Sequence, residues 1–502
     1  MSGRRVALAG TLAFLVYCAA ALSLAARAHL WNDELYTWYF ARLPTMGDVW
    51  DQLSTGVEQL PPFFYVLTRA SLAIFGDNAI ALRVPSLLGL ALGCACVWVV
   101  VARRTNAWYG FLAAIIPLAT NAFRFAWEAR PYALLVGFAG AALLFHQLRS
   151  DAVRPRLAVV GLALALAAAT AVQYYGVLVV LPLAGAEAVR SSLRRRADWA
   201  VLGAFCAPLV PLAVALPLIE GARKYAHQFW TTFGLSSAPE FYVLLLRAGV
   251  FSASRLPEWL ALAFTAVVLG GAAIVLLRRP VAFPIDLAAA VGFVLLPLVG
   301  VLFAELVTGA YTDRYVLPAV LGPAVLIPLA LYRLAGGRVV AIGAVVIVVA
   351  WFGVLFQYWQ RDVTGDLDRQ KALIGFLERT TSPESPPIAV GHPHDYFELA
   401  HYAPPSLARR LIRISSPALA HRYGPSRSAE EGLIVLQKFA PLRVVPYRSQ
   451  PRSYLLLLTV RDREKNWNWI EPALLADGHR LRLVARDEAR GFALYRVEPP
   501  AG

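Results

Sequence analysis

Two adjacent carboxylates, Asp33 and Glu34, lie in the segment HLWNDELYTW, directly after the first long apolar run of the chain. An ionisable side chain beside hydrocarbon is costly unless it faces water, a partner or a substrate. In such a position a carboxylate can accept the proton of an attacking hydroxyl group or bind a hard divalent cation. The aromatic residues around the pair fit two interpretations, a belt at a membrane interface or a stacking surface for a sugar. They are Trp31, Tyr36, Trp38 and Tyr39.

Three later motifs, LRVPSLL, EARPYAL and DRYVLP, carry further ionisable groups at the edges of apolar runs. These groups are Arg83, Glu128, Arg130, Asp313 and Arg314. Guanidinium groups there can bind a phosphate through paired hydrogen bonds, although the acids of these motifs can also simply neutralise neighbouring arginines. Pro131 disfavours a helical conformation for the residue before it. We therefore expect Glu128 and Arg130 on a tight turn between two helices.

The composition explains why these residues stand at the ends of apolar runs. The chain of 502 residues is 58% hydrophobic and 16% charged, with a mean hydropathy of +0.57, which indicates a polytopic membrane protein. Eleven runs are long and apolar enough to be predicted as membrane helices. They cover 6–26, 84–102, 107–125, 132–148, 157–174, 176–189, 200–218, 258–277, 284–304, 316–333 and 339–358. The apolar stretch 61–75 is shorter and is interpreted as an interfacial helix.

Arginine clusters recur in every second connection, which places those connections in the cytoplasm. They contain Arg4, Arg5, Arg103, Arg104, Arg149, Arg154, Arg156, Arg194, Arg195, Arg196, Arg278, Arg279, Arg333 and Arg338. The acid pair, residues 219–257, residues 305–315 and the C-terminal tail are then extracytoplasmic. The first run is expected to be an uncut anchor, with a signal peptide cleaved near Ala26-Arg27-Ala28 as the alternative.

The C-terminal part is predicted to be a separate soluble α/β domain over residues 361–502, after a membrane domain over 1–360 whose first outer loop spans 27–83. Short apolar strands at 388–391, 411–415, 453–460 and 481–486 alternate with helical stretches, one of which ends at Gly478. The segment HPHDYFELAHY offers His392, His394, Asp395 and His401 as metal ligands. The favoured interpretation is a strand end leading into a helix that Asp395 caps.

Several classes of function are excluded by the same sequence. The net charge of +15 belongs largely to the cytoplasmic loops, so nucleic-acid binding is not supported. No dinucleotide-binding, P-loop, zincin or nucleophile-elbow motif stands in a suitable setting. All four cysteines fall inside predicted membrane helices, so we expect no disulfide in the extracytoplasmic parts.

Residues 25–335 resemble the membrane-embedded glycosyltransferases of the GT-C fold. The likeness is to the protein O-mannosyltransferase-like group, glycosyltransferase family 39, which includes aminoarabinose transferases and rhizobial lipopolysaccharide core galacturonosyltransferases. It depends on the order of WNDELYTW, QLPPFFYVLTRASLAIFG, LRVPSLL, EARPYAL and DRYVLP along the chain. Many relatives carry a polar or basic residue directly before the Pro-Pro pair, where this chain has Leu60.

The resemblance implies inverting transfer of a sugar from a polyprenyl-phosphate carrier to a hydroxyl of a protein, lipid or glycan, on the outer face of a bacterial cytoplasmic membrane. It implies Asp33 as the general base with Glu34 beside it. It also implies a set of residues that bind the donor phosphate or the substrate. This set is Gln59, Tyr65, Arg83, Glu128, Arg130, Tyr132, Arg314 and Tyr315.

No cofactor is required by these motifs, and a magnesium or manganese ion held by Glu34 or Glu128 stays open. Two other classes of function are alternatives. A secondary transporter would show repeated halves and acids near the bilayer midplane, whereas the acids here gather at helix ends. A non-enzymatic membrane protein of envelope polysaccharide export would not need converging charges.

Overall fold

A computed structural model describes residues 3–225, 233–246, 258–277, 283–424, 426–461 and 467–500. Arg278 and Arg279 of the predicted cytoplasmic clusters lie outside these residues, as do the side chains of Arg4 and Arg5 and part of the predicted outer segment 219–257.

In the first half of the chain, the described residues form helices joined by turns and short loops. Its helices are α1 (Gly3–Ala25), α2 (Asn32–Ala41), α3 (Met46–Ser54), α4 (Pro62–Phe75), α5 (Ala79–Ala102), α6 (Ala107–Ile115), α7 (Tyr132–Ser150), α8 (Pro155–Val172), α9 (Val180–Arg194), α10 (Trp199–Ala204), α11 (Leu209–Arg223), α12 (Ser237–Leu246) and α13 (Glu258–Leu277). Short 3₁₀ segments at Asn121–Ala126 and Tyr174–Val179 precede α7 and α9.

The second half adds long helices and then a sheet. Its helices are α14 (Pro284–Phe303), α15 (Leu321–Ala335), α16 (Arg338–Thr380), α17 (Pro393–Tyr402), α18 (Pro405–Ala408), α19 (Pro417–Tyr423), α20 (Ser428–Leu436) and α21 (Ile470–Ala476). A 3₁₀ segment, Asp313–Val320, leads into α15. The strands are β1 (Ile388–Val390), β2 (Leu411–Ser415), β3 (Val444–Pro446), β4 (Tyr454–Leu458), β5 (Arg480–Asp487) and β6 (Phe492–Glu498).

The chain divides into two compact units. The helical unit comprises Met1–Arg27, Leu60–Pro217 and Thr231–Asp362. The sheet unit comprises Ala28–Gln59, Leu218–Trp230 and Val363–Gly502. The segment with the acid pair therefore belongs to the sheet unit, although it precedes that unit's main part by more than three hundred residues.

The predicted α-helical polytopic membrane protein with a C-terminal α/β domain is confirmed as a class. Eight helical stretches of the described residues are long and apolar enough to cross a membrane. They are Ala79–Ala102, Tyr132–Ser150, Pro155–Val172, Tyr174–Arg194, Trp199–Arg223, Pro284–Thr308, Asp313–Ala335 and Arg338–Thr380. The total of eleven membrane helices stays a prediction.

The single helix predicted over 107–125 is wrong. Helix α6 ends at Ile115, and the following 3₁₀ segment begins at Asn121. Pro117 lies between them, and proline removes a helical hydrogen bond and clashes with the preceding turn. The Thr120 side chain then accepts a hydrogen bond from the backbone N–H of Ala122 at 3.2 Å, which starts the new segment.

Glycines allow α5 and α7 to pack closely within the helical unit. A Cβ added at Gly89 would lie 2.6 Å from the Leu134 Cα, and one added at Gly137 would clash with the Gly89 backbone. A Cβ at Gly140 would lie 3.1 Å from the Gly93 Cα. Small residues at such crossings let membrane helices pack backbone to backbone. This crossing fixes the first turns of α5 relative to the turn before α7, where the predicted arginines lie.

The sheet of the sheet unit has the strand order β3-β2-β1-β4-β6-β5. Strands β1 to β4 are parallel to one another, whereas β6 is antiparallel to both β4 and β5. The four predicted strands coincide with β1, β2, β4 and β5, while β3 and β6 were missed. Gly478, with φ of +80°, lies just after α21, as predicted for the residue that stops this helix.

Candidate active site

The two carboxylates of the acid pair have different surroundings. Helix α2 begins at Asn32, and Trp31 is the extended residue before it. Glu34 is 1% exposed, and its Oε2 accepts a hydrogen bond from the Trp31 backbone N–H at 3.4 Å. Asp33 is half-buried, and its Oδ1 accepts a hydrogen bond from the Asn32 side chain at 3.3 Å. Glu34 therefore stabilises the helix start, whereas Asp33 is the more accessible acid.

Two aromatic side chains of α2 pack against α17 of the same unit. The ring centroids of Tyr36 and Tyr39 lie 5.5 Å and 5.8 Å from that of Phe397. The Tyr39 hydroxyl is hydrogen-bonded to Nδ1 of His401 at 2.8 Å. The sequence suggested a membrane belt or a sugar-stacking surface. For these two tyrosines the structure shows a third role, contact with the C-terminal fold.

A third carboxylate in this region, Glu58, was missed by the sequence analysis. Glu58 is buried and lies close enough to the Tyr36 hydroxyl to interact with it electrostatically, as does Asp33. Burial raises the pKa of Tyr36, and the negative charges of Glu58 and Asp33 raise it further. The signal in the sequence that could have identified Glu58 was the presence of an acid close to the Pro-Pro motif. Its neighbour Gln59, which was predicted to bind substrate, is half-buried.

The helical unit positions Arg130 on the turn that Pro131 was expected to cause. Residues 127–130 are not helical, and α7 begins at Tyr132. The Arg130 backbone N–H donates to the Glu128 carbonyl at 2.8 Å. Ser86 of α5 donates from its hydroxyl to the Arg130 carbonyl, also at 2.8 Å. The turn is thus tied to the helix that carries Arg83.

Arg314 and Tyr315 lie beside this turn. The guanidinium carbon of Arg314 is 5.3 Å from the centroid of the Tyr132 ring, a cation–π contact. The Tyr132 and Tyr315 ring centroids are 6.3 Å apart. The Tyr315 hydroxyl interacts electrostatically with both Arg130 and Arg314. The structure therefore brings four of the predicted residues together, in what we call the arginine–tyrosine cluster (Arg130, Tyr132, Arg314 and Tyr315).

Tyr175 extends this cluster and was also missed. Its ring centroid lies 4.9 Å from that of Tyr315. Its hydroxyl is hydrogen-bonded to the Thr308 side chain at 2.6 Å and to the Ala310 carbonyl. The only sequence signal was a pair of tyrosines, Tyr174 and Tyr175, after an apolar run.

Arg83 and Glu128 have structural contacts of their own. Arg83 is buried, and its Nη1 donates to the Ala25 carbonyl at the end of α1 at 2.6 Å. Glu128 is buried and forms an ion pair with Arg124 at 2.6 Å, the neutralising role that was the alternative for this acid. Tyr65 is fully buried in α4, with its ring 5.6 Å from that of Phe64.

The predicted residues fall into two sets. Asp33, Glu34 and Gln59 belong to the sheet unit. The other predicted residues belong to the helical unit: Tyr65, Arg83, Glu128, Arg130, Tyr132, Arg314 and Tyr315. The acid set can supply a base, and the arginine–tyrosine cluster of the other set can bind an anion.

Comparison with known proteins finds similar chains. Residues 59–219 match the model of the family described as dolichyl-phosphate-mannose-protein mannosyltransferase. ArnT from Cupriavidus metallidurans, solved in the apo state, superposes with a TM-score of 0.59 at 15% sequence identity, over 97% of this chain and 98% of ArnT. The same protein bound to undecaprenyl phosphate superposes with a TM-score of 0.55 at 15% identity, over 97% of each chain. No curated protein sequence matches the chain.

The chain has the GT-C fold of membrane glycosyltransferases. The resemblance predicted from the five motifs is thereby confirmed at the level of the fold and of the family model. As a GT-C protein it is a multi-pass membrane protein. Three of the five motifs lie within the matched segment, whereas WNDELYTW precedes it and DRYVLP follows it.

The histidine-rich segment of this GT-C protein has a structural role. Asp395 does not cap α17, which corrects the favoured interpretation. Instead its carboxylate accepts hydrogen bonds from Thr459 at 2.6 Å, Arg461 at 3.0 Å and Arg369 at 3.1 Å. Burial opposes ionisation of Asp395, but the two arginines hold its pKa below the usual value.

The same region shows no set of metal ligands. Among the described residues no group of three or more histidine, cysteine or acidic side chains could hold a metal ion. Burial, with a smaller effect from the neighbouring His394, lowers the pKa of His392 to about 3. The ring centroids of these two histidines are 5.0 Å apart and stand perpendicular to each other.

Proposed function

We propose that this chain transfers a sugar from a polyprenyl-phosphate carrier to a hydroxyl acceptor, with inversion at the anomeric carbon. The single observation that carries the proposal is the arginine–tyrosine cluster in a GT-C fold. Two guanidinium groups beside phenol groups suit an anionic phosphate, whose negative charge grows as it leaves. ArnT, which has this fold, binds undecaprenyl phosphate, and this supports a carrier of the same chemical class here.

Asp33 is the general base of the proposed reaction. Its carboxylate accepts the proton of the acceptor hydroxyl while the acceptor oxygen attacks the anomeric carbon. The bond from that carbon to the phosphate oxygen breaks, and the polyprenyl phosphate leaves with the electron pair. One base and one stabilised leaving group suffice for a single displacement, so no covalent intermediate forms on the protein.

Arg130 and Arg314 stabilise the leaving phosphate in this scheme, and Tyr132 and Tyr315 bind beside them. Arg83 supports the site from α5, because its guanidinium holds the end of α1. Glu34 and Glu128 have roles at the helix start and in the ion pair with Arg124. The scheme leaves room for a magnesium or manganese ion at Glu34 or Glu128, which would share the stabilisation of the phosphate, and chelation of divalent cations tests that point.

The reaction takes place on the extracytoplasmic side of a bacterial cytoplasmic membrane. This orientation follows from the arginine-rich connections, which favour the cytoplasm. The acceptor is a protein, a lipid or an envelope glycan such as lipopolysaccharide.

The test uses the full chain in native membranes supplied with a panel of undecaprenyl-phosphate hexoses and pentoses. We expect release of undecaprenyl phosphate with at least one donor, and a product whose anomeric configuration is opposite to that of the donor. A product with retained configuration would contradict the single displacement. Movement of a solute across sealed vesicles, with no glycosidic product from any donor, would instead support the transporter that the sequence left as an alternative.

A further inference from the structure

The sheet unit holds helix α2, which carries Asp33, between α17 and α20. Tyr36, Tyr39 and Phe40 of α2 provide the contacts to these two helices. All three helices belong to the sheet unit.

The contact to α17 is aromatic and polar. Besides the bond from Tyr39 to His401, the hydroxyl of Tyr402 accepts a hydrogen bond from the Leu30 backbone N–H at 2.6 Å. The His29 and Tyr402 rings are stacked with centroids 4.2 Å apart. The residues directly before α2 are thus fixed to the last turn of α17, as is the middle of α2.

The contact to α20 depends on a glycine. A Cβ added at Gly432 would clash with the Tyr36 hydroxyl oxygen. The same Cβ would lie 3.2 Å from the Tyr36 Cζ, which is also a tight contact. Just beyond α20, the Phe439 ring meets that of Phe40 edge to face, with centroids 5.5 Å apart. The neighbouring Glu431 accepts a hydrogen bond from the Tyr225 hydroxyl at 2.5 Å. No larger side chain fits at position 432 while Tyr36 keeps its place.

Both supporting helices are themselves fixed to the sheet. Helix α17 is held through Asp395 by the arginines and the threonine described above. In α20 the buried Glu430 forms an ion pair with the buried Arg413 of β2 and accepts a hydrogen bond from Trp469 Nε1 at 2.9 Å. Buried ion pairs and hydrogen bonds of this kind hold the two helices against the rest of the unit.

We propose that the C-terminal domain positions the general base, with His401 and Gly432 as positioning residues. Asp33 and Tyr36 are three residues apart on one face of α2, so a shift of the helix at Tyr36 moves Asp33 with it. A base must lie within hydrogen-bond reach of the hydroxyl that it deprotonates, and a shift of about 1 Å can cost about 100-fold in rate. This inference depends on the proposed role of Asp33.

The test compares Gly432→Ala with Gly365→Ala in the full-length protein. Gly365 lies in α16 of the same unit, and a Cβ there would have no atom within 4 Å. For Gly432→Ala we expect kcat to fall about tenfold or more while KM for the lipid-linked donor stays within about twofold. Gly365→Ala should match the wild type in both constants, since alanine is the better helix former at an open position.

A rescue separates positioning from loss of stability. In the double variant Gly432→Ala/Tyr36→Phe the clashing oxygen is gone, so we expect kcat to recover relative to Gly432→Ala alone. His401→Ala, with the exposed His421→Ala as its control, provides an independent variant in case Gly432→Ala fails to fold, and it should show the same loss of kcat at an unchanged donor KM.

Wild-type kcat in both Gly432→Ala and His401→Ala would overturn the positioning role and leave the proposed function intact. A loss that appears only in the donor KM would overturn it as well. Absence of transfer by the wild type with every donor would instead refute the proposed function itself.

Discussion

In the proposed reaction, the side chains of the arginine–tyrosine cluster bind the donor phosphate through both their charge and their geometry. Arg314 lies over the Tyr132 ring, and Arg130 is held by a turn whose carbonyl is bonded to Ser86. A guanidinium group binds phosphate through two parallel hydrogen bonds, which a lysine cannot reproduce. The geometry of these two side chains therefore matters as much as their charge.

We expect Arg130→Lys and Arg314→Lys each to lower kcat by about 100-fold, because removal of one preorganised donor to a developing anion typically costs that much. Arg448→Lys, at an exposed position of the sheet unit, is the matched control and should leave the rate unchanged. The measurement is the rate of undecaprenyl phosphate release with saturating donor. Full activity of both lysine variants would exclude a paired contact to the phosphate.

We expect His401 to make the stability of the sheet unit depend on pH. Burial, with a smaller effect from the positive charges of Arg42 and His29, lowers the pKa of His401 to about 4. In the unfolded chain a histidine has a pKa of about 6.5. The stability that the neutral ring contributes is therefore fully present above pH 6.5 and is lost progressively as the pH falls towards 4.

We expect the Tm of the purified protein to fall between pH 7 and pH 4.5, and His401→Gln to reduce that fall. His421→Gln, at an exposed position, should leave it unchanged. Glu398 acts in the opposite sense, because burial raises its pKa to about 7, so that its contribution is lost as the pH rises. If Tm depends on pH in the same way in the wild type and in His401→Gln, then protonation of His401 does not contribute to the loss of stability.

At the scale of elements, the crossing of α5 and α7 fixes the helical part of the candidate site. Gly89 and Gly137 meet backbone to backbone there. We expect Gly137→Ala to destabilise the protein by about 1–3 kcal/mol, the usual cost of overpacking, and to lower its Tm in detergent. Gly185→Ala in α9, where a Cβ would have no atom within 4 Å, should not. Equal Tm values for the two variants would contradict close packing at this crossing.

The elements that follow from local patterns were predicted well from the sequence. Long apolar runs predicted most of the membrane helices, and short apolar runs predicted four strands of the sheet. The turn at Arg130 followed from Pro131, because proline restricts the residue before it. The helix predicted over 107–125 was wrong because the run is largely apolar but Pro117 interrupts the helix.

The contacts of α2 could not be predicted from the sequence. Tyr36 and Tyr39 have the composition of an interfacial belt, and no local rule pairs them with residues near position 400. Such long-range packing depends on the tertiary fold, as does the burial of Glu58 beside Tyr36. The arginine–tyrosine cluster could be proposed only because a family resemblance joined motifs that lie far apart in the chain.

For the whole molecule, the account requires a definite orientation in the membrane. We expect a cysteine introduced as Gly47→Cys, near the acid pair, to react with a membrane-impermeant maleimide in intact spheroplasts. A cysteine introduced as Arg195→Cys, in a predicted cytoplasmic connection, should react only after permeabilisation. Both positions are exposed, so reactivity reports the side of the membrane. The opposite pattern would place the acid pair in the cytoplasm and refute an extracytoplasmic site.

The central claim is that the carboxylate of Asp33 activates the acceptor, and the most direct measurement compares Asp33→Asn with Glu34→Gln in the transfer reaction. Asparagine cannot accept the proton, so we expect Asp33→Asn to lose about 100-fold or more in kcat. Glutamine keeps an oxygen for the Trp31 N–H, so Glu34→Gln should retain most of the activity and of the Tm. Equal product formation by Asp33→Asn and the wild type would contradict the account.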